Sequence, residues 1–166
     1  MNKTKIILIA SIIFIALNSC ERKEYTEEGI REIKQQIDSL LYTAKGEKFD
    51  WGSEKAYSNF TAYFNNSKEL IFINEDYRYR KPADSFNRYY YMDGNVIYFI
   101  GREMTYVPDK QQKNIDMFIN PDGDVIVYDK IVNGKRENLS NKEADDIVNH
   151  ARELRDIVEK RITARK

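Results

Sequence analysis

Apolar residues recur at helical spacing in two stretches of this chain, one early and one at its C-terminal end, and the segment between them follows a different rule. In the first stretch Ile30, Ile33, Ile37, Leu40, Leu41 and Ala44 fall on one face of a helix with 3.6 residues per turn. Glu27 and Glu28 suit the positive end of the helix dipole, and Lys45-Gly46 predicts its stop. The second stretch opens with Ser140 and Glu143 at capping-box spacing, with Leu139 and Ala144 placed to staple the entry. Its stripe runs through Ala144, Ile147, Ala151, Leu154, Val158 and Ile162. Two amphipathic helices are therefore predicted to bracket the domain.

The intervening segment is rich in Tyr, Phe, Ile and Val, broken by turn residues, which is strand chemistry. Three hairpin-like units follow one another. Ala62-Tyr63-Phe64 and Leu70 to Ile73 flank Asn65-Asn66-Ser67-Lys68; Tyr89 to Met92 and Val96 to Ile100 flank Asp93-Gly94; Met117 to Ile119 and Val125 to Tyr128 flank Pro121-Asp122-Gly123. Asp-Gly between apolar runs is among the strongest short hairpin signals. The pattern predicts an α+β fold: a six-stranded antiparallel β-meander flanked by an N-terminal and a C-terminal amphipathic helix. Leu70 to Ile73 and Val96 to Ile100 are apolar at every position, so both faces of the central sheet are expected to be covered. One helix per face, a second copy of the chain, or a partner protein would each serve.

A third apolar run lies at the N-terminus and has a different character. Lys3 and Lys5 precede the uncharged stretch Ile6 to Leu17, which is too short for the roughly 18 to 20 residues of a membrane-crossing helix. Leu17-Asn18-Ser19-Cys20 follows directly, with small Ser19 before the only cysteine of the chain. This segment resembles the signal of bacterial lipoprotein precursors, whose lipobox ends in a small residue and a cysteine; Leu17, Ser19 and Cys20 match it and Asn18 departs from the commonest form. The resemblance implies residues 1–19 as a signal peptide and lipidation at Cys20; a short tether over 20–25 follows, and the length that remains suits a single domain over 26–166. The resemblance also implies anchoring to the bacterial cell envelope. Glu21 stands where an Asp would signal inner-membrane retention, so the outer membrane is the expected destination, with the periplasmic and surface-facing sides both open. The Ile, Lys, Asn and Tyr usage is similar to that of Bacteroidota lipoproteins.

Charge and cysteine content narrow the rest. The 27 basic and 27 acidic residues cancel, and removal of a signal carrying Lys3 and Lys5 leaves a slight acidic excess. Near-neutrality gives no support to a nucleic-acid partner. With one cysteine no disulfide is available within the chain, so burial must hold the core.

Candidate chemistry is sparse. His150, the only histidine, has Asp146 one turn before it and Glu153 about one turn after, a spacing that permits a carboxylate-oriented base; no serine or cysteine is placed as its nucleophile. Asn120, Asp122 and Asp124 put three oxygen side chains in one turn, but Gly123 falls in the wrong place for a calcium loop. Arg78 and Arg80 alternate with Tyr77 and Tyr79, so an extended strand would set the arginines on one face. Trp51, Tyr89 and Tyr91 supply the aromatics that binding surfaces use, the two tyrosines as an exposed ladder. Carboxylates such as Asp50, Glu54, Glu103 and Asp116 would be the acid and base of a small hydrolase, but no pair of them is positioned by sequence. The expectation is a non-catalytic binding module of immunity, inhibitor or assembly type, without metal or cofactor, whose protein partner or second copy docks on a sheet face through Trp51, Arg78, Arg80, Tyr89 and Tyr91. A small hydrolase acting on glycan or peptide and a lipid or ligand carrier are the alternatives.

Overall fold

Thr26 opens the first helix, α1 (Glu27–Leu41), by accepting a hydrogen bond from the Gly29 N–H at 3.2 Å, with Glu27 and Glu28 in the first turn. The computed structural model describes residues 25–53, 56–79 and 83–164, with no description of the Tyr79 side chain; the signal, Cys20 and Arg80 lie outside the described residues. α1 stops at Leu41, earlier than Gly46, because the Thr43 and Ala44 N–H groups both turn back onto the Leu40 carbonyl. Gly46 serves another purpose. It opens the first strand, where a Cβ would come within 2.7 Å of Thr61 Cγ2 on the neighbouring strand.

The strands are β1 (Gly46–Gly52), β2 (Ala56–Phe64), β3 (Leu70–Tyr79), β4 (Ala83–Met92), β5 (Asn95–Thr105), β6 (Gln111–Ile119), β7 (Val125–Val132) and β8 (Lys135–Arg136), followed by α2 (Asn141–Thr163). They form one open antiparallel sheet in sequence order, so the meander is as expected and its strand count is eight rather than six. The two additions carry weak signals. β1 is largely charged, with Phe49 its one buried residue, and β8 is two residues joined to β7 through Asn133-Gly134, both at positive φ. The predicted Asp93-Gly94 hairpin turn also has both residues at positive φ, the geometry this dipeptide favours.

Each of the three long hairpins carries a register shift just after its second strand begins. Tyr63 pairs with Phe72 and Phe64 with Leu70, skipping Ile71; Tyr90 pairs with Tyr98 and Tyr91 with Val96, skipping Ile97; Phe118 pairs with Val127 and Ile119 with Val125, skipping Ile126. A bulge lets two successive residues share a face. Ile71 and Phe72 thus both enter one core, as do Ile97 and Tyr98, while Ile73 and Phe99 enter the other. That is why these runs lack alternation.

Each face has its own helix. α1 seals a core of Ile30, Ile37, Phe72, Tyr90, Tyr98 and Phe118, with Asp38 accepting from the Tyr90 hydroxyl at 2.9 Å. α2 seals the opposite core, where Ala144, Val148, Ala151, Leu154 and Val158 meet the sheet. It crosses the strands obliquely: Glu143 near its start holds Lys130 of β7, Arg155 donates to the Gly94 carbonyl of the β4–β5 turn, and Arg161 reaches Asp50 of β1. Of the three covers that the sequence left open, the chain supplies the first. The exposed tyrosine ladder is a correction: Tyr89 and Tyr91 are 1 % and 2 % exposed. α2 lies over them, and the Tyr91 hydroxyl donates to the Ala151 carbonyl at 2.8 Å.

Candidate functional site

The strand register sets three successive rows across the α2 side of the sheet, and their polarity changes stepwise. Ala62, Ile73, Tyr89, Phe99 and Met117 form an apolar row; Phe60, Glu75, Asn87, Gly101 and Ile115 form the next; Trp51, Ser58, Tyr77, Ser85, Glu103 and Lys113 form the third. α2 packs closely on the first row. Beside its N-terminal half, over the other two, lies a cleft of about 500 Å³. That volume falls in the range of small-molecule sites.

Glu75 lies behind the cleft wall with 0 % exposure. Its Oε1 meets His150 Nε2 at 2.8 Å, and its Oε2 accepts from the Tyr89 hydroxyl at 2.9 Å and the Asn87 amide at 3.1 Å. Burial by itself would raise this carboxyl; the hydrogen bond and charge of His150 outweigh it, helped by Ser58 and Asn87, and hold it below the usual carboxylate value. Ser58 contributes by proximity, since its buried hydroxyl lacks ordinary hydrogen-bond geometry to any partner. An ionised carboxylate only accepts, so His150 Nε2 must carry the proton between them. The Tyr89 phenol is pushed well above its ordinary value, first by burial and then by the Glu75 charge, and stays a neutral donor.

Aromatic rings fix the histidine from the other sides. Trp51 and Tyr77 stack on each other at 5.6 Å, and the His150 ring meets them edge to face at 4.9 and 5.2 Å. His150 Nδ1 is left towards the rim, where Glu153 Oε2 stands 3.7 Å away.

The far rim is an ion-pair chain. Lys113 Nζ holds Glu103 at 2.7 Å and Glu143 at 3.5 Å, and Glu143 also holds Lys130 at 2.8 Å. Burial would lower Lys113, but the two carboxylates prevail and its ammonium is held above the ordinary lysine value. Glu143 thus does more than the predicted capping box asked: its N–H bonds Ser140 Oγ while its carboxylate ties α2 to β6 and β7.

The cleft gathers some of the sequence candidates and leaves others out. His150 and Glu153 are brought together, but Asp146 pairs with Lys142 instead, and the principal partner of the histidine is Glu75. Trp51 lines the cleft, and Tyr89 forms part of its floor. Arg78 is exposed on the strand opposite Asp84, facing away from Tyr77. Of the carboxylates weighed as acid and base, Glu103 is in the cleft, Asp50 and Asp116 pair with Arg161 and Arg102 elsewhere, and Glu54 lies outside the described residues. The hydroxyl of Ser85, the serine that lines the cleft, donates to Asn87 Oδ1 at 2.9 Å. The Asn120 side chain closes its own turn against Asp124, and among the described residues no group of three or more His, Cys, Asp or Glu is set to hold a metal.

Glu75, Asn87 and Ser85 were missed by sequence reasoning. Their signal was a polar residue in phase with core hydrophobics, as in Ile73-x-Glu75 and Ser85-x-Asn87-x-Tyr89.

No family model, curated protein or solved structure matches this chain. No helix among the described residues is long and apolar enough to cross a membrane. The reading of the site rests on its own geometry.

Proposed function

We propose that this chain is a non-catalytic binding module of the bacterial cell envelope, tethered through lipid on Cys20, that seats its ligand in the cleft between α2 and the sheet. The observation that carries the reading is the buried Glu75 carboxylate, bonded to His150, Tyr89 and Asn87 behind a cleft of about 500 Å³. Burying an ionised group costs several kcal/mol unless every lone pair is served. Here it orients an imidazole and an aromatic pair at the cleft wall. The site has a preorganised wall and a charged rim, and the serine that lines it, Ser85, has its hydroxyl committed to Asn87, an arrangement suited to recognition.

Trp51 is the only tryptophan and lines the cleft, so its emission is a built-in reporter. A fraction of envelope extract containing the ligand should shift that emission in the wild type and leave Asn149→Phe unchanged, since Asn149 lies on the exposed side of α2 and a larger ring there fills the cleft. An unresponsive wild type, or an equal response in the variant, would rule the cleft out. Lipidation is tested apart from this: a fatty-acid analogue should label the wild type and not Cys20→Ala.

A second reading, docking of a protein partner, is favoured by one observation at the sheet edge rather than its face. β7 pairs with β8 only through Ile131 and Val132, and its free portion leaves Ile126, Val127 and Tyr128 37 to 39 % exposed. An extended segment of a partner can add a strand to such an edge. Val127→Pro should abolish capture of that partner while leaving the response of Trp51 intact.

A further inference from the structure

We infer that the ligand of the cleft is a neutral carbohydrate, bound with the C–H face of a sugar ring against Trp51 and its hydroxyls on the carboxylates of the rim. This rests on the cleft being a binding site, as proposed above, and goes on to the chemistry of its occupant.

The argument runs through what each class of ligand would find. An anion such as phosphate needs unspent positive charge. Lys113 is already held by Glu103 and Glu143, Arg102 by Asp116, and His150 by Glu75, while Glu103, Glu143, Asp146 and Glu153 add four carboxylates that repel it. An acyl chain would have to desolvate those same ions without replacing their water. A polycation meets carboxylates that already carry partners: Glu103 and Glu143 have Lys113 and Lys130, and Asp146 has Lys142. Glu153 is held more loosely, with a side chain 60 % exposed and His150 Nδ1 at 3.7 Å.

A sugar asks for what remains. Its ring presents a face of weakly positive C–H groups, which suits the negative face of an aromatic ring, and Trp51 lines the cleft half-buried, its ring stacked on Tyr77. Its vicinal hydroxyls donate pairwise to one carboxylate, and Glu153, exposed at the rim with only the 3.7 Å contact of its Oε2 to His150 Nδ1, is placed to accept them. Its oxygens also accept. Lys113 has three N–H donors and two carboxylate partners, and the Asn149 amide at the rim supplies further donors. None of these contacts breaks the short ion pairs of Lys113, Lys130 or Lys142.

The test follows Trp51 emission in the full acylated chain, held in a detergent without a sugar headgroup. The probes are neutral trisaccharides of glucose, mannose, galactose, xylose and N-acetylglucosamine, with spermine, inorganic phosphate and laurate as the competing chemistries. At least one trisaccharide should give a saturable shift that barely changes between about 50 and 500 mM salt, because no net charge is neutralised on binding. Glu153→Gln, at an exposed position that leaves the fold undisturbed, should weaken it about tenfold through loss of a charged acceptor. Silence of all five trisaccharides overturns the inference, as does saturation by spermine, phosphate or laurate in their place. If the sugars are silent while envelope extract still shifts Trp51, the cleft binds another class and only this inference fails. If extract is silent as well, the binding reading fails with it.

Discussion

Glu75 and His150 stand 75 positions apart in the chain and 2.8 Å apart in the fold, so that β3 and α2 are joined through a buried carboxylate and an imidazole. The two sides of this pair are unequal. Removing the imidazole leaves an ionised carboxylate sealed from water, whereas removing the charge leaves a neutral amide of the same shape. His150→Ala should therefore cost about 3 to 5 kcal/mol, and Glu75→Gln about 1 to 3 kcal/mol, the latter because the new NH₂ faces the Tyr89 and Asn87 donors. Urea unfolding of the two variants and the double variant checks this. If the double variant is no more stable than His150→Ala, the stranded carboxylate is not the source of the cost.

The same carboxylate sets an acid-sensitive part of the stability. Its folded value lies below the ordinary 4.5, so the unfolded chain binds the proton first. Its contribution is complete above that ordinary value and is lost as pH falls through the lower, folded one. The stability difference between wild type and Glu75→Gln should shrink as pH falls below about 4.5. Most other carboxylates titrate in both proteins and largely cancel. A gap that widens on acidification would show that Glu75 is protonated more readily in the fold than out of it.

The helices were legible because their periodicity is set by burial on one side, and the meander because its turns use residues that favour the turn angles. β1 was not, since an edge strand touching the core through Phe49 and Trp51 alone needs no apolar run. The continuous apolar runs were read correctly as belonging to two covered faces, although part of the reason is the bulges at Ile71 and Ile97, which no short-range pattern marks. The site was legible as scattered parts, His150 with acids at helical spacing, Trp51, Tyr89 and Glu103, and not as one cleft. Its true partner comes from β3, and only strand register brings Glu75 under α2.

The tyrosine triplet separates core from surface chemistry in a measurable way. Tyr89 donates to a charged acceptor and Tyr91 to a helix carbonyl, both out of solvent. Tyr89→Phe should cost about 1.5 to 3 kcal/mol and Tyr91→Phe about 0.5 to 1.5 kcal/mol, since bonds to ionised groups are the stronger. Full truncation of either to Ala would empty a ring's volume from the core and act on folding before it acted on any partner. Denaturation midpoints near wild type for both Phe variants would mean that neither hydroxyl is bonded as described.

Gly101 controls the floor of the cleft through Phe99. The two face the same side of β5, and the Phe99 ring lies across the glycine, so that an added Cβ would stand 2.6 Å from ring atom Cζ and 3.4 Å from Asn87 Oδ1. Phe99 is buried against Tyr89 at a centroid distance of 5.2 Å and has little room to retreat on that side. Gly101→Ala should then push the ring towards the open volume, the cleft, at a cost of about 1 to 3 kcal/mol for the overpacked contact. Two measurements read this together. Urea unfolding should show the loss, and Trp51 emission should respond less to whatever ligand the cleft holds, because its volume has fallen. Loss of stability with an unchanged response would place the displaced ring in the core, away from the ligand.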